Sequence, residues 1–311
     1  MLTEVDAKSF QQFFPVHPHP FIAASFLDLN SNKVDRLLFL VEDEGKPEIG
    51  LVVGVKDNKL LSPFSAPFGG FHFKKENMYS DKLDLFVMDL KSYILLHEYD
   101  SFRISLPPDI YHRTFNSKCV SAFYRAGFQN ETPEITSYVH LDKFEGRYTQ
   151  KNSREYYRQA LRNKLKFACI SDKDEIKEAY ELIKENRAKF GRSIYMQLED
   201  INNTANIWPV DFFKVCSAEN DMLASAIFYR AHPEIVYAVF WGDNDMGRPL
   251  RAMDFLLFNL WSHYQKQGFK YVDLGISTED GIPNPGLLRF KETHEAESSL
   301  RFIFGCHKEK H

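Results

Sequence analysis

Cysteine is sparse in this chain: Cys119, Cys169, Cys216 and Cys306 are the only four in 311 residues, and no two are spaced as CxxC. That scatter excludes a disulfide framework and a zinc ribbon, and fits reduced thiols in a cytosolic protein. No run approaches the ~18 consecutive apolar residues of a helical membrane span. The opening Met1-Leu-Thr-Glu-Val-Asp-Ala-Lys8 has neither a basic n-region nor an apolar h-region, so no signal peptide is expected. A surplus of positive charge is also missing. The net charge is −4, which gives no whole-chain reason to expect DNA as a partner. No GxSxG elbow, GxxxxGK[ST] phosphate loop or GxGxxG fingerprint occurs. His17, His19 and His72 lack partners at metal-ligand spacing and His307 and His311 sit in the tail, so no metal is expected.

Aromatic carbon, by contrast, is abundant: 28 Phe and 15% aromatic residues point to large packed cores or an apolar groove. With 44% hydrophobic and 26% charged residues, the composition is that of a globular protein long enough for two domains. Periodicity predicts strands near 36–42, 48–55, 101–106 and 135–141 and helices near 82–97 and 117–126. After a polar linker at 144–151, helices follow at 153–167 and 174–189, and strands at 211–217, 222–230 and 234–241. A long helix at 249–267, a strand at 269–275, a helix at 285–293 and a strand at 299–306 complete the order. Both halves thus end on strands, helix, strand, helix, strand.

Four groups of residues stand out as candidate sites. The first is the passage from the strand at 234–241 into the helix at 249–267, with Pro249 in the first turn and Gly268 as its stop. A helix start offers unpaired N–H groups to an anion, which makes Gly247, Arg248, Leu250 and Arg251 candidate cofactor contacts and Trp241 a candidate substrate contact. Asp243 and Asp245 in the same loop oppose phosphate there. The second group is Arg154, Arg158, Arg162 and Lys166, spaced by four on one helix, where like charges repel by roughly 0.2–0.5 kcal/mol per pair. They suit a polyanion or carboxylate-rich partner, or else form an ordinary wet face.

The third group is the run 64–73, in which Phe68, Gly69, Gly70 and His72 either wall an apolar slot or fill a core. The fourth is the strand end at Asp273 and Ser277. Ligands gather at such ends in open sheets, and Asp273 could take or orient the proton of an attacking amine while Ser277 donates a hydrogen bond. A turn or cap role is the alternative.

The order of elements resembles the GNAT acyltransferase fold, and two such halves in tandem resemble the FemAB-like aminoacyltransferases. Three stretches carry the likeness: Ser153-Arg154…Arg158-Gln-Ala-Leu-Arg162, Phe269-Lys-Tyr-Val-Asp-Leu-Gly275 and Gly286-Leu-Leu-Arg-Phe-Lys291. The resemblance implies an α+β fold of two tandem GNAT-like domains, 1–145 and 151–311, each a mixed, mostly antiparallel sheet flanked by helices. It also implies amide formation, with an acyl or aminoacyl group passing from acyl-CoA or aminoacyl-tRNA to the amine of a small molecule or peptide. Under that reading no cofactor is tightly bound, tRNA is a partner, and Lys291 contacts a carboxylate or phosphate of donor or acceptor. The loop Asn244-Asp-Met-Gly247-Arg-Pro249 meets the family's CoA pattern only at Gly247. A GNAT-fold protein that binds an anionic small molecule or peptide without catalysis is the alternative.

Overall fold

The computed structural model describes residues 1–42 and 45–308. Its first elements are β1 (Leu2–Val5), α1 (Ala7–Phe13), α2 (Ala24–Leu29), β2 (Arg36–Glu42), β3 (Ile49–Lys56), β4 (Lys59–Ser62) and β5 (Phe71–Phe73). Next come α3 (Ser80–Leu96), β6 (Ser101–Ser105), α4 (Asp109–Arg125), β7 (Gln129–Asn130) and β8 (Glu134–His140). The chain continues through α5 (Lys151–Arg162), β9 (Lys166–Ile170), α6 (Lys173–Lys189), α7 (Leu198–Thr204), β10 (Val210–Cys216), β11 (Met222–Tyr229) and β12 (Ile235–Asp243). It closes with α8 (Ala252–Lys266), β13 (Tyr271–Ile276), β14 (Thr278–Glu279), β15 (Ile282–Pro283), α9 (Pro285–Thr293), β16 (Ala296–Arg301) and β17 (Ile303–His307).

Two compact units result, and they do not follow the linear halves. The first takes residues 1–136, 278–283 and the stretch from Ser299; the second takes 137–277 and 284–298. The boundary expected between 145 and 151 therefore lies earlier, and the last strand belongs to the first unit. The first unit's sheet has the order β1-β2-β3-β4-β6-β17-β7, with β5 also on β3. Only β4 and β6 run parallel in it. The second sheet has the order β16-β8-β13-β12-β11-β10-β9, in which β12 and β13 run parallel while β9 to β12 are antiparallel. Each is a mixed, mostly antiparallel sheet flanked by helices, the α+β architecture expected.

Burial follows the side-chain chemistry. The run Ile49-Gly-Leu-Val-Val-Gly-Val55 in β3 and all of β11 are buried, as strands covered on both faces must be. Gly50 lets the rings of Phe10 and Phe14 close on β3, since a Cβ there would lie 2.6 Å from Phe14 and 2.7 Å from Phe10. Leu83, Phe86, Val87, Leu90 and Ile94 form the buried stripe of α3. In the second unit α8 buries Leu256, Leu257, Leu260, Trp261 and Tyr264.

Three expectations change. The helix predicted over 153–167 stops at Arg162, because Lys164 turns into the left-handed region (φ +52°) and Lys166 opens β9. The cationic stripe is therefore three residues long, not four. The helix predicted from 249 begins at Ala252, after Arg251 at φ +65°, so Pro249 lies in the preceding turn. The segment 144–151 is no linker: Phe144 and Tyr148 enter the second core, and the Tyr148 hydroxyl donates to Asp254 O at 2.8 Å. Among the described residues no helix is long and apolar enough to cross a membrane.

Candidate functional site

The second unit's parallel pair is where its sheet opens. β12 and β13 pair over only three positions, ending at Tyr237 opposite Asp273, although both strands run on beyond them. Val239 is the extra residue of a bulge against β11, which bends β12 there. Past the last pair the carbonyls of β13 need other partners. Lys291 supplies them: its Nζ donates to Gly275 O and Ile276 O, each at 2.9 Å.

Helix α9 carries that lysine inward. Asn284 Oδ1 caps it by accepting the Leu287 N–H at 2.9 Å, and Pro285 fills its first turn. Its C-terminal end is tied to α8, because His294 Nε2 lies 3.2 Å from Asp254 Oδ1 and Trp261 Nε1 donates to His294 O at 3.0 Å. Lys291 is only 2% exposed and Asp273 1%. Burial pulls the Lys291 amine down to about 7; the Asp273 carboxylate works against that and the like charge of Arg192 adds to it. Asp273 Oδ1 itself accepts the Gly275 N–H at 2.8 Å.

Near neutral pH a substantial share of Lys291 is therefore unprotonated. A neutral amine has two N–H groups and one lone pair. Both N–H groups are directed to backbone carbonyls, which leaves the lone pair as a base. Protonated, the same nitrogen becomes an acid with a third donor. A group that titrates near the working pH serves both roles.

Two arginines that the sequence did not mark out belong to this region: Arg192, whose charge acts on Lys291, and Arg187, whose charge is felt by Arg192 in turn. Arg187 on α6 lies 5.3 Å over the ring of Phe240, and its buried Nε has no hydrogen-bond partner among the described residues. Burial lowers its pKa, as does the like charge of Arg192. Arg192 repels both Lys291 and Arg187, and such a gathering of positive charge suits an anionic ligand. In the sequence they belong to an unremarkable polar helix end, so nothing marked them.

The other candidates are placed as follows. Ser277 is buried, with its hydroxyl 3.2 Å from that of Ser137. Trp241 packs against the second core. Gly247 is buried so tightly that a Cβ would overlap the carbonyl oxygen of Leu223. Its N–H goes to Asn244 Oδ1 at 2.8 Å, the Arg248 N–H to Asn244 O at 3.2 Å and the Arg251 N–H to Arg248 O at 3.2 Å. Arg248 pairs with Asp243 at 3.1 Å, Arg251 stacks 3.7 Å over Tyr156, and Leu250 packs on the core. The N–H groups that a pyrophosphate would take at 247, 248 and 251 are thus used within the loop.

On α5, Arg158 and Arg162 share Glu155 at 3.6 and 3.2 Å, while Arg154 donates to the carbonyls of Tyr148 and Thr149. Lys166 donates to Ala218 O at 3.0 Å and to Asn220 Oδ1 at 2.8 Å. In the first unit Phe68, Gly69, Gly70 and His72 are buried rather than lining a slot. Phe68 packs on His19, Phe21 and Tyr111, and Gly69 donates to Ser105 O at 2.9 Å. His72 is held down to about 3, by burial first and then by His17, so it stays neutral. Among the described residues no three His, Cys, Asp or Glu side chains converge as a metal site.

Two mixed, mostly antiparallel sheets flanked by helices in one chain make the tandem GNAT architecture. Solved structures share it. The structure of FemX superposes with a TM-score of 0.66 at 13% identity, over 97% of this chain and 96% of that one. L-PGS from Bacillus licheniformis gives 0.60 at 12% identity, over 99% and 94%. A tandem GNAT protein from the clavulanic acid biosynthesis pathway gives 0.50 at 7%, over 100% and 99%. At such identities the likeness is one of fold, and the chain has the GNAT fold in a FemAB-like tandem arrangement. The sequence itself matches no family model and no curated protein sequence.

Proposed function

We propose that the second unit is an acyltransferase site that forms an amide, with Lys291 as its proton carrier. The observation that supports this most directly is a buried lysine held near neutrality at the opening of a splayed parallel pair. The amine nitrogen of the acceptor attacks the donor carbonyl carbon, forming the C–N bond while the bond from that carbon to the leaving oxygen or sulfur breaks. The Lys291 lone pair takes the amine proton and returns it to the leaving group. Asp273 keeps the protonated lysine within reach of neutrality, and Arg187 and Arg192 attract an anionic part of donor or acceptor.

Aminoacyl-tRNA is the favoured donor. The loop before α8 uses its N–H groups internally and carries Asp243 and Asp245, which suits a CoA pyrophosphate poorly. Arg158 and Arg162, two exposed cations sharing one carboxylate, leave positive charge on α5 for a phosphate backbone. The FemX-like fold supports aminoacyl transfer as the reaction class.

The test is consumption of a mixed aminoacyl-tRNA pool, and separately of acetyl-CoA, with and without added amines. The expected result is loss of aminoacyl-tRNA that depends on the amine and falls by about 10²–10⁴ in Lys291→Met. No amine-dependent loss of either donor, or full turnover in both Lys291→Met and Asp273→Asn, would overturn the reading.

A further inference from the structure

The first unit has a cleft that acyl transfer at Lys291 does not use. Its volume is ≈ 220 Å³, and it opens at the carboxyl ends of β4 and β6, the parallel pair of that unit. Residues 63–67 follow β4 on one side, Arg103 and Ser105 end β6 on the other, and Glu134 and Arg301 complete the wall. This is the position in an open sheet where ligands gather.

Three of its polar side chains are more than nine-tenths buried: Ser105 at 3%, Glu134 at 7% and Arg301 at 8% exposure. The Ser105 hydroxyl has no hydrogen-bond partner among the described residues, whereas most buried hydroxyls find one. The charged groups are held in place by their surroundings. Arg301 Nη1 donates to Pro67 O at 2.7 Å, and Arg103 forms a two-pronged pair with Glu131 at 2.8 and 2.9 Å. Glu134 accepts from the Thr278 hydroxyl, whose oxygen takes the Ile135 N–H at 3.2 Å.

The lining has charges of both signs, and that restricts the ligand. An anion alone would meet the Glu134 carboxylate, and a cation alone would meet two guanidinium groups. A molecule with a carboxylate at one end and an ammonium at the other satisfies both. The cleft is also smaller than the ~300–1,000 Å³ of common ligand pockets, which limits its occupant to about one or two amino-acid residues. We infer that this cleft binds a small zwitterion, a free amino acid or dipeptide, with its carboxylate toward Arg103, Arg301 and Ser105 and its ammonium toward Glu134. The inference does not depend on catalysis in the second unit, and Lys291→Met should bind the same ligand equally well.

The experiment is thermal unfolding and calorimetric titration of the full chain with each free L-amino acid and with glycylglycine at millimolar concentration. At least one should raise the melting temperature. Its N-acetyl and carboxamide derivatives, each lacking one charge, should not. Glu134→Gln should abolish the shift. Because Glu134 also holds Thr278, Ser105→Ala and Arg103→Gln serve as further variants. Ser105→Ala removes a hydroxyl that has no hydrogen-bond partner among the described residues, so it should leave the unliganded melting temperature unchanged. Ser105→Ala and Arg103→Gln should each weaken binding by roughly threefold to tenfold. Whether amino acids or glycylglycine bind tells the two sources apart. Binding by neither, equal binding of the singly charged derivatives, or undiminished binding in both Ser105→Ala and Arg103→Gln would overturn the inference.

Discussion

Lys291 lies at depth at a cost to stability. Desolvation lowers its pKa from 10.5 to about 7, more than Asp273 restores. Between those values the unfolded chain binds a proton that the folded chain has released, so stability rises with pH across that window. Below about 7 both states are protonated and the full penalty of burying the charge applies. Lys291→Met should therefore flatten the rise in stability between pH 7 and 10.5 and melt higher than the native chain at mildly acidic pH. Thermal melts across that range check this, and equal slopes for the two proteins would refute it. The same titration belongs in the pH–rate profile, whose lower limb near pH 7 should disappear in the variant.

At the scale of elements, α8 and α9 hold the site together through few contacts. His294 has Phe290 O at 2.6 Å from Nδ1 and Asp254 Oδ1 at 3.2 Å from Nε2. Phe290 O keeps the Thr293 hydroxyl at 3.0 Å, but His294→Ala takes this partner from the buried Asp254 carboxylate and should cost about 1–3 kcal/mol in urea unfolding. Gly247→Ala pushes a methyl group into the Leu223 carbonyl and should cost about 1–3 kcal/mol as well, with α8 amides exchanging faster. These ties also explain what the sequence did and did not disclose. The α3 stripe and β11 were legible because long runs repeat one period. The start of α8 was not, because Asn244 closes an earlier turn with its own side chain and backbone, which overrides the preference of Pro249 for a first turn. Lys166 was misplaced because the left-handed Lys164 gives no sequence signal. Asp273 was legible from its place at a strand end, and Lys291 only through a motif that resembles a family. Arg187 and Arg192 were not, and neither were Ser105, Glu134 and Arg301, which come together only through the tertiary fold.

For the whole molecule, the interleaving of the two units matters most. β17 lies between β6 and β7, pairing with β6 from Ile303 opposite Ser105 to His307 opposite Ser101. Removing the chain from Phe302 onward should therefore damage the N-terminal unit rather than the unit nearer the cut. Amides of β6 should lose protection against hydrogen exchange, and the exposed strand edges should promote association. Unchanged protection in β6 would show that β17 is dispensable. About 170 residues separate β7 from β17. A ribosome working at ~5–20 residues per second takes roughly 10–35 s to make that stretch. Throughout that interval the earliest-made sheet waits with a gap beside β6, so the nascent chain cannot finish one domain before starting the next. It must keep its first-made half soluble until β17 has been made.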